Sequence, residues 1–372
     1  MGYDLTARGG TRYSLTLGGE NKDLVFTVME SAKTRLRGNL LGNGHSQIAA
    51  FGSRKNLAQS TSAPVDGSSS GIEFFRTAAP VTADSIVGYV ANAGEPAPAW
   101  VGTWEWSGND AAIWQVVGVG RFAGSEVDHD GLLLYNTGNS TYAAWTDLND
   151  PSYGYVSLCY TGADFSIECL GDFDGNGFDD LVLCGSSGSV GIVSDGTVYH
   201  DVWHVDANDS TDWVLLGTGR FNGTSDSLLF RNLSNDHLYL WDNQDPTYAT
   251  WNWTQTDIGY VEDGWEFVAL GDFSGDGVDD IVLINPNDNN AVFIRDNGVQ
   301  STQRYAGVLE SGFQFEGVGN FDGDGKEDLL LREYNTGWGG LGYWSAASAN
   351  GWTDMQARVE TDRGSSLTIA IA

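Results

Sequence analysis

The nine residues 172–180, Asp-Phe-Asp-Gly-Asn-Gly-Phe-Asp-Asp, place four carboxylates and an amide around two glycines. Alternate positions offer oxygen: Asp172, Asp174, Asn176, Phe178 through its carbonyl, and Asp180. An all-oxygen donor set suits Ca²⁺, which takes roughly six to eight such ligands at about 2.3–2.6 Å. Gly175 and Gly177 supply the positive φ values that let so short a loop turn around an ion. The same chemistry returns at 272–280, with Asp272, Ser274, Asp276, Val278 (carbonyl) and Asp280. A third copy at 320–328 offers Asn320, Asp322, Asp324, Lys326 (carbonyl) and Asp328. About three calcium sites are expected.

An EF-hand opens in a similar way but needs a glutamate at its twelfth position and flanking helices. Here that position holds Leu183, Leu283 and Leu331, each inside a short apolar run of strand character. A single such loop could be only a polar hairpin turn, but three with one oxygen pattern favour the ion. Three equivalent copies in separate repeats cannot serve one substrate, so the expected role is structural.

The loops sit in a repeat. "GDFDGNGFDDLVLC", "GDFSGDGVDDIVLI" and "GNFDGDGKEDLLLR" are joined by weaker copies, "GRFAGSEVDHDGLLLY", "GRFNGTSDSLLF" and "GNLLGNGHSQIAAF". Their first glycines fall at 38, 120, 171, 219, 271 and 319, so the last four intervals are 51, 48, 52 and 48 residues. Each copy follows an alternating segment such as "WEFVALGDF" and precedes an apolar run, then two further strand-like segments. Period-2 alternation bounded by Gly, Asn and Asp is the strand signature. Four strands per repeat of about fifty residues predict an all-β chain, a β-propeller of four-stranded blades. Six recognisable copies and a composite blade made from the terminal segments ("TRYSLTLG", "KDLVFTV" and "SSLTIAIA") give seven blades, with six as the alternative. The chain reads as one domain over 1–372, with a loop-rich insertion or degenerate blade around 54–112.

Two copies depart from the metal pattern. Arg121 and Arg220 occupy the first ligand position, and a guanidinium cannot bind a cation. They are expected to pair instead with loop carboxylates, Arg121 with Asp128 or Asp130 and Arg220 with Asp226. The copy at 38 carries Leu41 and His45 and is not expected to bind metal.

The formal charge of −32 arises from 50 acidic against 18 basic residues. It excludes nucleic acid, whose phosphates need a basic patch, and disfavours an anionic membrane surface. It also strains the compact state by self-repulsion, which bound cations would relieve. No stretch is apolar for the roughly 20 residues that span a bilayer. The opening "MGYDLTARGG" lacks the charged and apolar regions of a signal peptide, so an export signal is expected to lie outside this sequence.

With these loops, the chain resembles the FG-GAP (VCBS) repeats of integrin α-subunit propellers, fungal propeller lectins and secreted bacterial surface proteins. The resemblance is strong over 120–332 and weak at the ends. It implies a secreted, calcium-stabilised propeller on or outside the cell, with Ca²⁺ held by the residues named above. As the loops identify a fold rather than a ligand, the function lies elsewhere on the ring.

Catalytic signatures are absent: there is no GxSxG, HExxH or P-loop. His200 and His204 lie about 13 Å apart on a strand and cannot share a metal. Cys169 and Cys184 stand symmetrically about the first loop, so free buried thiols or a facing pair are both open. Trp114, Trp213 and Trp265 recur at the head of the first strand of a repeat and are expected to pack between blades. The chain thus reads as a monomeric binding module, an adhesin or lectin for a glycan or protein ligand on a host or neighbouring cell. The alternatives are a polysaccharide-degrading enzyme with its site in the central channel, or an inert scaffold domain.

Overall fold

The structure is a computed structural model. It describes residues 12–17, 20–25, 72–76, 85–91 and 99–106, most of 114–333, then 340–345, 352–359 and 368–371. The copy at 38–51 lies outside the described residues. Among them the fold is all-β, with antiparallel sheets, two short 3₁₀ turns and no α-helix. Among the described residues no helix is long and apolar enough to cross a membrane.

Six sheets are formed by the described strands. The first comprises Thr368–Ile371, Ile72–Arg76, Ser85–Ala91 and Ala99–Trp106, in that spatial order. The second runs Trp114–Gly120, Gly131–Asn136, Thr141–Trp145 and Tyr155–Tyr160. The third runs Phe165–Gly171, Asp180–Gly185, Val190–Ser194 and Val198–Trp203. The fourth is Trp213–Gly219, Ser227–Asn232, His237–Asn243 and Trp253–Tyr260. The fifth is Glu266–Gly271, Asp280–Asn285, Ala291–Arg295 and Gln303–Val308. The sixth begins Phe313–Gly319, Asp328–Glu333, Gly340–Ser345 and Trp352–Val359. Arg12–Leu17 and Glu20–Val25 then extend its outer edge.

The terminal segments therefore do not pair with one another. The N-terminal strands join the last sheet through Leu15↔Val359, whereas the C-terminal strand becomes the innermost strand of the first sheet through Ile371↔Ile72. Inner strands of neighbouring sheets pack together: that of the third on the fourth, the fourth on the fifth, and the fifth on the sixth. Thr368–Ile371 packs against the inner strands of both the sixth and the second. The arrangement is propeller-like.

Burial follows from position in the blade. The second strand of a sheet is covered on both faces: Leu181, Val182, Leu228, Leu229, Ile281 and Val282 are all fully buried. The outer strand Trp253–Tyr260 is largely exposed and is rich in Thr, Gln and Asp. The apolar clusters lie between sheets. One joins the second, third and fourth (Phe122, Leu170, Phe173, Phe230), one the fourth and fifth (Leu229, Leu270, Leu283), one the fifth and sixth (Phe273, Val318, Leu331). Each such side chain stabilises by about 1.5–3 kcal/mol when fully buried. Trp213 and Trp265 pack on these clusters, as the sequence led one to expect.

A bulge interrupts the pairing of first and second strands at one place in five sheets, between Val116/Gly118, Ile167/Cys169, Leu215/Gly217, Phe267/Ala269 and Phe315/Gly317. In each of these five sheets the inner strand carries one extra residue, which locally increases its twist.

Candidate functional site

Loop 172–180 joins the inner strand of the third sheet to its second strand. Asp172 organises it. Its Oδ1 accepts the N–H groups of Gly175 (2.7 Å) and Asn176 (3.0 Å), and its Oδ2 that of Gly177 (2.9 Å). Gly175 and Gly177 have φ of 74° and 87°, the left-handed region that glycine enters freely. Asp174 Oδ1 accepts the Asn176 N–H at 3.0 Å, and Asn176 Oδ1 that of Phe178 at 2.7 Å. Buried Asp180 accepts the Phe173 N–H at 3.2 Å.

Loop 272–280 has the same geometry. Asp272 accepts from Gly275 (2.6 Å), Asp276 (3.1 Å) and Gly277 (2.7 Å), and Asp276 Oδ1 accepts from Val278 at 3.0 Å. Ser274 donates to Asp272 at 3.4 Å. In the third loop Asn320 and Asp328 are buried, and the Lys326 N–H reaches Asp324 Oδ1 at 2.9 Å. Asp322 lies outside the described residues.

Do these residues fit a cation? Asp280 Oδ1 accepts the Asn297 N–H at 2.7 Å, but its Oδ2 is buried without a hydrogen-bond partner. Burial pushes this carboxyl up to about 7. The Asn297 N–H and Arg304 oppose the rise, while Asp296 and Asp272 add to it. A buried anionic oxygen with no partner is costly, and a hard cation would relieve it. The donors Asp272, Ser274, Asp276, Val278 carbonyl and Asp280 are oxygen throughout, so the chemistry fits Ca²⁺. Among the described residues no three acidic, histidine or cysteine side chains gather as a cage. Amide, hydroxyl and main-chain oxygens would therefore carry a share of any coordination.

The acid just before the second strand in four of the sheets has another task, one the sequence reading did not assign to any of them. Asp179 Oδ2 accepts the N–H of Arg121 in the preceding sheet's loop at 2.7 Å, and its own N–H returns to the Arg121 carbonyl at 2.6 Å. Asp226 does the same to Asp172 (2.8 and 2.8 Å), Asp279 to Arg220 (2.8 and 2.8 Å) and Glu327 to Asp272 (2.7 and 2.9 Å). Four two-point latches thus bind each loop to the next. The signal was available: an acid stands at this place even in the 219 copy, where no metal is expected.

These latches explain the glycine that opens four of the copies. A Cβ on Gly120 would lie 2.5 Å from Asp179 Oδ2, one on Gly171 3.0 Å from Asp226 Oδ2, and one on Gly219 2.7 Å from Asp279 Oδ2. On Gly271 it would collide with Glu327 Oε2. The glycine is there for close approach.

Arg220 Nε lies 3.9 Å from Asp226 Oδ1, the pairing expected for a loop that carries arginine in place of the first ligand. The expected partners of Arg121, Asp128 and Asp130, lie outside the described residues. Cys159, Cys169 and Cys184 are free. Burial pushes the Cys159 thiol up to about 11 and those of Cys169 and Cys184 higher still, which makes them inert packing groups.

No protein-family model matches the chain, and no curated protein matches it. Among solved structures it is similar to dipeptidyl peptidase 4 of Porphyromonas gingivalis, at 10% identity and a TM-score of 0.36, over 84% of this chain and 56% of that one. It is also similar to the rhamnogalacturonan lyase YesW, at 12% identity and a TM-score of 0.30, over 76% of this chain and 64% of that one. A Bacillus licheniformis rhamnogalacturonan lyase follows at 13% identity and 0.32, over 83% of this chain and 70% of that one. The chain thus spans less than two thirds of the length of the first two. Likenesses at these TM-scores carry no argument about activity.

Proposed function

We propose that the chain is a calcium-stabilised β-propeller of the FG-GAP kind, closed as a ring of six sheets, that acts outside the cell as a binding module, an adhesin or a lectin. Closure is supported by the C-terminal strand, which packs between the inner strands of the sixth and second sheets. The calcium reading rests on one observation above others. Two loops 100 residues apart in sequence adopt the same oxygen-rich turn, and in one of them Asp280 carries a buried oxygen without a partner. When bound, calcium would link the oxygens of each loop and offset part of the charge of −32. Its ligands would be Asp172, Asp174, Asn176, the Phe178 carbonyl and Asp180, and their counterparts at 272–280 and 320–328.

Thermal unfolding with excess calcium and with chelator tests this. A ligand of the native state alone stabilises it by about 2.7 kcal/mol at a hundredfold excess over Kd. The melting temperature is therefore expected to rise with calcium and fall with chelator. Identical curves would overturn the calcium reading. Ligand binding is tested separately, by screening the calcium-loaded protein against immobilised glycans and cell-surface proteins.

A further inference from the structure

One corner of the fourth sheet gathers aromatic and polar side chains that neither the core nor the acidic loops use. It lies where the outer strand Trp253–Tyr260 meets the 296–302 turn of the fifth sheet. The His237 ring stands between Tyr239 and Tyr260, with centroids 6.2 and 5.9 Å away and interplanar angles of 31° and 37°. Tyr239 leans on Trp213 at 4.9 Å, and its hydroxyl accepts from Asn235 Nδ2 at 3.2 Å. His237 Nδ1 lies 2.8 Å from Asp257 Oδ2 and 3.0 Å from Oδ1.

The corner is held rigid. A carboxylate only accepts, so the contact with Asp257 puts the proton on Nδ1 and leaves Nε2 as an acceptor in the neutral ring. Asp257 Oδ1 also takes the Gly259 N–H at 2.9 Å. The Tyr260 backbone is clamped on both sides, its N–H 3.4 Å from Gln300 Oε1 and its carbonyl taking Arg295 Nη2 at 2.8 Å. Yet Tyr260 as a residue is 44% exposed, and it belongs to none of the described core clusters. A fixed backbone that presents an exposed ring beside an oriented imidazole and a carboxylate is preorganised, which lowers the ordering cost of binding.

We propose that this corner is a subsite for one uncharged sugar residue of a glycan, stacked on Tyr260 and hydrogen-bonded by His237 Nε2, Asp257 and Asn235. This deepens, and rests on, the reading of the chain as a binding module. Aromatic faces take the apolar face of a pyranose, while the flanking acceptors and amide take its hydroxyls. The charge decides the class. A chain of net −32, with exposed Glu262 and Asp263 just beyond Tyr260, repels uronic and sialic acids. Asp257 already accepts from His237 and Gly259, and the lone pairs left on its two oxygens are the ones that take sugar hydroxyls.

The test uses the full chain, calcium-loaded, on an array of uncharged oligosaccharides ending in galactose, mannose, fucose or N-acetylglucosamine, followed by calorimetry on the tightest. Tyr260→Ala and His237→Ala are each expected to weaken binding about tenfold or more, the loss typical of a central contact residue. Tyr305→Ala is the control: it removes the ring of a residue 54% exposed in the fifth sheet, with no imidazole–carboxylate pair beside it, and binding should be unchanged. Melting curves of all three should match the parent, so a loss in binding is not a loss of fold. Undiminished binding in the Tyr260 and His237 variants would overturn the subsite and leave the binding-module reading intact. Selective binding of acidic glycans, of a cationic peptide, or of no uncharged glycan would overturn the sugar class.

Discussion

Glu327 Oε2 accepts the backbone N–H of Asp272 at 2.7 Å, and the Glu327 N–H returns to the Asp272 carbonyl at 2.9 Å. Two opposed hydrogen bonds between the same residues tie the fifth sheet to the sixth much as strand pairing would, although both partners are in loops. Burial and the neighbouring Asp279 push the Glu327 carboxyl well above the ordinary range, against the pull of the Asp272 N–H. Burial thus favours the neutral form of this acid more than water does, and an amide oxygen could accept the Asp272 N–H in its place. Glu327→Gln should be tolerated. Glu327→Ala should lower stability by about 1–3 kcal/mol, because the Asp272 N–H is left buried without its partner. Denaturant unfolding of the two variants measures the difference, and equal losses would show that the latch does not hold the sheets.

Gly271 makes the complementary prediction. Its Cα lies under the Glu327 carboxyl, and a methyl there would meet Val318 Cγ1 at 2.8 Å as well. Gly271→Ala should destabilise by about 1–3 kcal/mol through overpacking. In Glu327→Ala the same substitution should cost less, because the obstructing carboxyl is gone. A double-mutant cycle reads this coupling directly.

The buried latch acids also set a pH dependence. Burial raises the Asp279 carboxyl to about 8, Asp226 and Asp272 add to the rise, and the Arg220 N–H and its guanidinium oppose it. The folded chain thus holds a proton that the unfolded chain releases near pH 4. Where the native state binds more protons, stability falls with rising pH. The contribution is fully present below about pH 4 and is lost as pH rises through about 8. In chelator, the melting temperature is expected to decline between these limits, and Asp279→Asn should flatten that decline. A variant with the parent's slope would show that other groups set it.

The sequence carried the repeat, because glycine-flanked acids at a period near fifty residues are a local signal. The strands themselves followed from period-2 alternation. What the sequence could not carry was contact between repeats. Asp179 and Asp180 are adjacent acids of one motif, yet the first reaches Arg121 in the preceding sheet and the second stays in its own loop at Phe173. Spacing alone does not separate them, since successive residues of a strand face opposite ways only once the sheet exists. The ends were misleading for a related reason. "TRYSLTLG" and "SSLTIAIA" both read as strands, but which sheet edge each joins depends on how the sheets are arranged around them. The corner at His237 went unseen because its members, 237, 239, 257 and 260, meet only through the pairing of two outer strands.

Asp280 separates a polar turn from an ion site. Its Oδ2 is buried without a partner, and its carboxyl sits near 7 in the metal-free chain. In Asp280→Asn the amide oxygen can still accept the Asn297 N–H, while the burial cost of an anion disappears. Without calcium, the variant should therefore be as stable as the parent or more so at pH 8, where the parent carboxyl is mostly ionised. With calcium the order should invert, because the parent gains the binding free energy and the variant has lost an anionic ligand. If the loop were only a turn, calcium would leave the order unchanged. Melting curves of both proteins at pH 8, with chelator and with excess calcium, decide between the two, and the crossing is a stricter criterion than stabilisation alone because nonspecific screening of −32 charges would raise both proteins together.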